Sequence, residues 1–134
     1  MAKDLILVSH GAFCEELKKS VEMIMGPQEK IHAVGLYEWE GTEEFKDKFL
    51  EIAESLDNYI VLADLMGGTP CNVLSRLLME GRQFELYAGM NMPMVIGFMN
   101  GQLVGEDVNL VEFARENTLC VNDLLLSLDK EEED

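Results

Sequence analysis

Leu5-Ile6-Leu7-Val8-Ser9-His10-Gly11 is a run of apolar, β-forming residues that ends abruptly in a polar Ser-His-Gly. Such a run reads as a strand buried on both faces of a parallel sheet, delivering a histidine to the rim. A second run, Tyr59-Ile60-Val61-Leu62-Ala63, ends in Asp64-Leu65-Met66-Gly67-Gly68-Thr69-Pro70. The fold follows from how these two runs are connected.

Between and after them, strands and helices alternate. Phe13, Leu17, Val21, Ile24 and Met25 mark the apolar face of a first helix, closed by Gly26-Pro27. Ile31 to Tyr37 reads as the second strand. Thr42 is placed as an N-cap, with Glu43 and Glu44 in the first turn and Phe45, Phe49, Ile52, Ala53 and Leu56 facing inward. After the third strand, Thr69 is expected to cap a helix that has Pro70 in its first turn and ends near Met79. Phe84 to Ala88 forms strand four. Asn91 and Pro93 open a short helix from Met92 to Met99, Gly101 to Asp107 is a loop, and Asn109 caps a last helix ending near Cys120. Asp123 to Leu128 fits either a helix or a strand; the break at Asn122-Asp123 favours a strand.

This alternation gives right-handed βαβ units and an α/β three-layer sandwich with a mostly parallel sheet. The order 2-1-3-4 makes strands one and three neighbours and puts a switch point at their carboxyl ends. His10, Asp64 and the Gly67-Gly68-Thr69 turn all fall there.

That crevice suits a phosphoryl group. Glycines allow backbone N–H groups to converge, and a helix N-terminus adds unpaired donors and partial positive charge. The Thr69 hydroxyl can donate one more hydrogen bond. A neutral imidazole can attack phosphorus, and Asp64 can fix its tautomer by accepting from one ring nitrogen. Neither a metal nor a cofactor is required. His32, at the opposite end of the sheet, reads as structural, and Cys71 as a small buried helix residue. Trp39 and Tyr37 lie on the His10 rim, either facing a partner or covering the core edge.

Composition narrows the partners. The 134 residues fit one domain, expected over residues 1–128, with an acidic tail at 129–134. A formal net charge of −16 argues against nucleic acid and anionic membranes and for partners with basic faces. Three widely spaced cysteines make neither a disulfide framework nor a zinc site. The first apolar run is too short to span a bilayer, so no direct membrane insertion is expected and the cytoplasm fits best.

The Ile6-Leu7-Val8-Ser9-His10-Gly11 start, the Asp64-x-x-Gly67-Gly68-Thr69-Pro70-x-Asn72 loop and Gly89-x-Asn91-x-Pro93-Met94 together resemble the enzyme IIA component of the mannose family of the bacterial phosphoenolpyruvate:sugar phosphotransferase system. The resemblance covers nearly the whole chain. It implies that His10 takes a phosphoryl group from the carrier HPr and passes it to a mannose-type enzyme IIB, expected here on a separate chain. It further implies that Asp64 is the histidine's hydrogen-bond partner, that Thr69 stands near the phosphoryl oxygens, and that the protein is a homodimer exchanging a C-terminal antiparallel strand. The competing readings are a phosphoryl-donor subunit of phosphoenolpyruvate-dependent dihydroxyacetone kinase and a non-catalytic phosphate-binding regulatory module.

Overall fold

The computed structural model describes residues 2–133. Four parallel strands, β1 (Asp4–His10), β2 (Ile31–Leu36), β3 (Tyr59–Ala63) and β4 (Glu85–Ala88), lie in the order β2-β1-β3-β4. This is the expected order, with β1 and β3 side by side in the middle. Leu5 pairs with Ile60 and Val8 with Ala63, so β1 runs two residues past the end of β3 at the rim, to His10.

Side chains of β1 alternate between two cores, as strand geometry requires. Leu5 and Leu7 point toward α1 (Phe13–Met25) and α4 (Met92–Val104), where they join Cys14, Leu17, Val21, Met94, Val95 and Phe98. Ile6 and Val8 face α2 (Thr42–Ala53) and α3 (Thr69–Met79), packing with Phe45, Phe49, Cys71, Leu74 and Leu77. Both faces of the sheet are therefore covered, giving the three layers.

Several local expectations are corrected. In α1 the buried residues are Cys14, Leu17 and Val21, whereas Phe13 and Ile24 are exposed. The inward stripe is set by the residues that face β1, and Phe13 and Ile24 fall to its side. Helix α2 has Gly41 as its N-cap rather than Thr42, and no side chain caps it. Helix α4 runs on to Val104 instead of stopping at Met99, absorbing the start of the expected loop. Gly101 leaves room for the chain that returns after the helix, because a Cβ there would meet the Glu106 carbonyl oxygen at 2.7 Å. Gly105, at φ 71°, is the left-handed residue that ends the helix. Asn109 does cap α5 (Leu110–Glu116), accepting from the Glu112 N–H, but this helix stops short of Cys120.

The C-terminal segment is the largest departure. Asp123 to Leu128 is not a strand but part of the helix α6 (Val121–Glu133). The segment has no β-branched residue after Val121, and leucine is a strong helix former. Asp123 sits in the first turn, where its charge suits the helix dipole rather than breaking the chain. Val121, Leu124, Leu125 and Leu128 recur at helical spacing, and each is about half exposed. Of the acidic tail placed at 129–134, residues 129–133 lie in α6 and residue 134 lies outside the described residues. Among the described residues, no helix is long and apolar enough to cross a membrane.

Candidate functional site

His10 is the last residue of β1, and Asp64 directly follows β3. Because the two strands are neighbours, the Asp64 carboxylate reaches across to the histidine. Its Oδ2 accepts from the His10 backbone N–H at 2.9 Å and lies 2.7 Å from the ring Nδ1. The other oxygen, Oδ1, accepts from the Leu65 N–H at 2.9 Å. A carboxylate can only accept when ionised, so this contact puts the ring proton on Nδ1 and leaves the Nε2 lone pair free.

Burial is the largest single influence on the Asp64 carboxyl and pushes its pKa up. The backbone N–H of His10, its ring and the Leu65 N–H together outweigh burial and hold the group below its ordinary value. Asp64 therefore stays negative beside the imidazole and can balance any positive charge that develops on it. The His10 side chain is 52% exposed, so the ring is accessible to a partner while its Nδ1 is held.

The turn after β1 is fixed by a residue whose role the sequence did not announce. Ser9 is fully buried, and its Oγ accepts from the Cys14 N–H at 2.9 Å, tying β1 to the start of α1. The hydroxyl lies within donating distance of the His10 and Gly11 carbonyls, at 3.1 and 3.2 Å. Gly11 donates its N–H to the Leu36 carbonyl at 2.7 Å. Gly35 on β2 backs this turn so closely that any Cβ there would strike the Gly11 carbonyl oxygen. A serine before the histidine and a glycine paired with it in register were the available signals.

Gly68 lies against the imidazole. A Cβ on it would stand 2.7 Å from His10 Cε1 and 3.5 Å from Nε2, so glycine is required by the close approach of the ring. Gly67 has φ 86°, the left-handed conformation that the turn needs. Asn72 reaches back from α3 to donate to the Gly67 carbonyl at 3.3 Å, bracing that turn. Gly68, not Thr69, is the N-cap of α3, and no side chain caps it. By helix geometry the Thr69 and Cys71 N–H groups lack intrahelical acceptors, and Pro70 has no N–H to offer. Thr69 lines a groove between α2 and α3 together with Thr42, Lys46, Asn72 and Arg76.

The other candidates sort cleanly. His32 Nε2 pairs with Asp4 Oδ2 at 2.8 Å at the far end of the sheet, a structural contact as expected. Cys71 is buried in the core, and burial pushes the Cys14 thiol pKa up, away from reactivity. Trp39 does not cover the core edge: the residue is 77% exposed on the His10 rim.

A carboxylate-held imidazole beside a glycine turn and an open helix N-terminus has the groups that could accept a phosphoryl group at Nε2. Comparison with known proteins gives the family. The family described as "EIIA-man: PTS system fructose IIA component" matches residues 4–113. The sorbose-specific PTS EIIA component of Lacticaseibacillus casei is 30% identical over 95 residues, covering 69% of this chain and 69% of its own. The mannose-specific EIIAB component of Escherichia coli K12 is also 30% identical over 95 residues, but there the chain spans only 29% of the relative's length. Among solved structures, a mannose/sorbose-specific IIA subunit from Enterococcus faecalis matches with a TM-score of 0.75 and 29% identity, over 90% of this chain and 95% of its own. A PTS IIA protein associated with a fucose utilization operon of Streptococcus pneumoniae gives 0.78 and 26%, over 93% and 99%.

Proposed function

This chain belongs to the EIIA-man family of PTS IIA components, and on that premise we propose that it is a phosphohistidine carrier in sugar uptake. His10 Nε2 attacks the phosphorus of phosphohistidine on HPr. The new P–N bond forms as the donor's P–N bond breaks, and the donor imidazole leaves with the electron pair and takes up a proton. The Nδ1 proton stays on the His10 ring, donated to the Asp64 carboxylate, throughout. The reverse steps, run with a mannose-type enzyme IIB as acceptor, pass the group on. No cofactor enters the scheme.

The observation that carries this reading is the 2.7 Å contact between His10 Nδ1 and Asp64 Oδ2, because it leaves Nε2 as the exposed nucleophile. Phosphoryl transfer asks little of a protein beyond position and charge balance, and this contact supplies both. Gly67, Gly68 and the first N–H groups of α3 are assigned to the phosphoryl oxygens, with the Thr69 hydroxyl as a further donor. The resemblance also carries the expectation of a homodimer, which the unpartnered apolar stripe of α6 supports.

The test is incubation with phosphoenolpyruvate, enzyme I and HPr, followed by mass spectrometry. One acid-labile phosphate per chain is expected, absent in His10→Ala. No uptake by the wild type would leave a phosphate-binding module as the better reading, and transfer to a dihydroxyacetone kinase subunit instead of an enzyme IIB would reassign the acceptor.

A further inference from the structure

The loop after β2 builds a rigid aromatic wall beside His10 that the transfer chemistry does not use. Trp39 stacks on Tyr37 with ring centroids 4.8 Å apart and planes 7° from parallel. Tyr37 is clamped from three sides. Its hydroxyl donates to Glu15 of α1, and its backbone N–H donates to Glu40 Oε1 at 3.0 Å. Lys48 of α2 places Nζ 5.0 Å over its ring centroid while donating to Glu40 at 2.8 Å and to the Gly35 carbonyl at 2.7 Å. Glu40 is held below its ordinary pKa first by Lys48 and then by the Tyr37 N–H, so this clamp is charged at neutral pH.

The result is a large indole held in place yet left in water. Burying such a ring is worth more than exposing it. The same concavity, about 680 Å³, is lined by His10, Gly11, Tyr37, Glu38, Trp39 and Glu40. A protein-sized donor that brings phosphorus to His10 therefore meets this wall. Glu15, Glu38 and Glu40 make its surroundings acidic, and Lys48 is the basic group that faces the stack.

We propose that the Trp39–Tyr37 stack is the docking anchor for the protein that donates the phosphoryl group, and that this donor meets it with a basic face. The inference rests on His10 being the phosphoryl acceptor. Aromatic anchors of this kind, rigid before contact and ringed by polar groups, carry a disproportionate share of binding energy. The carboxylates add steering and register, whose strength falls as salt rises.

The experiment compares two donors on wild type and Trp39→Ala. Phospho-HPr has a protein surface to dock; phosphoramidate has none. Expected for Trp39→Ala is a KM for phospho-HPr raised about tenfold or more, with kcat within about twofold, because a docking contact is lost and the reacting groups are not. Phosphoramidate loads His10 of both proteins at the same rate. Trp39→Phe recovers most of the affinity, and added salt raises the wild-type KM. An unchanged KM in Trp39→Ala, with both donors loading His10, overturns the anchor and leaves the carrier function standing. Loss of loading from phosphoramidate in Trp39→Ala also overturns it, by showing that the indole serves the histidine itself. Wild type that accepts from neither donor removes the carrier reading, and the anchor with it.

Discussion

Asp64 receives His10 twice through a single oxygen: Oδ2 takes both the backbone N–H, at 2.9 Å, and the ring Nδ1, at 2.7 Å. One atom thus fixes where the histidine's main chain lies and which way its ring turns. The carboxylate closes a gap between β1 and β3 that the sheet's own hydrogen bonds leave at the rim, and that closure sets the orientation of the imidazole.

Asp64→Asn keeps the side chain's shape but removes its charge. It can no longer compensate a cationic ring, and its amide nitrogen cannot accept the Leu65 N–H if its oxygen keeps His10. Phosphoryl transfer through His10 is expected to fall by about a hundredfold or more, measured as single-turnover uptake from phospho-HPr, while circular dichroism stays that of the wild type. An unchanged rate would remove Asp64 from the mechanism. The pH profile of stability carries the same signature. The folded pKa of Asp64 is lowered from 3.8, so its stabilisation is present above that value and drains as pH falls through the folded one. Urea midpoints followed down the acid range should lose this component in Asp64→Asn.

Two glycines separate folding from chemistry. Gly68→Ala drives a methyl group to within 2.7 Å of His10 Cε1 and 3.0 Å of Leu65 Cδ2. Both obstacles are side chains near the surface, so the fold survives and the ring is displaced. Transfer should collapse with little change in the urea midpoint. Gly35→Ala instead meets main chain, the Gly11 carbonyl, in a buried strand. It should cost about 2 kcal/mol or more of stability, read from the same urea curves. If Gly68→Ala transfers normally, the packing of that glycine on the imidazole has no functional meaning.

The tyrosines give a prediction at alkaline pH. Tyr37 is pushed up to about 12, chiefly because its hydroxyl donates to Glu15. Tyr87 reaches about 12 through burial and its bond to Glu85, and burial raises Tyr59 as well. Unfolded, each phenol ionises near pH 10, at about its unperturbed pKa. The folded protein should therefore show little tyrosinate absorbance near pH 10 while the urea-unfolded chain is about half ionised. Because folding raises these pKa values, the stability they contribute is intact below pH 10 and is lost between about 10 and 12. In Glu15→Gln the Tyr37 phenol should ionise earlier; no shift would mean that its bond to α1 is absent in solution.

What could be read from the residues divides along a physical line. Leu5–Val8 and Ile60–Ala63 are continuous apolar runs, and their burial on both faces, with the order 2-1-3-4, is enough to place His10 beside Asp64. Features that depend on one residue meeting another far along the chain were not visible. Gly35 looks like any strand glycine until the Gly11 carbonyl is seen against it. Thr69 has the chemistry of a cap, yet the capping position falls to Gly68, whose extended backbone and missing Cβ also make room for the imidazole. The leucines at 124–128 satisfy a strand or a helix equally in the absence of a neighbour, and helix propensity decided the outcome. Phe13 and Ile24 are apolar at nearly the right spacing, but Cys14, one position on, is the residue that faces the sheet.

The mounting of His10 has a genetic consequence. Its strand is one of the two central strands of the sheet, with Leu5, Ile6, Leu7 and Val8 completely shielded from water. Damage to the interior should therefore act mainly on how much of the protein is folded, because the residues that anchor this strand are all core residues. Lesions there should reduce how many molecules work and spare how well each one does. Impaired per-molecule performance in an otherwise abundant variant should map to the rim alone.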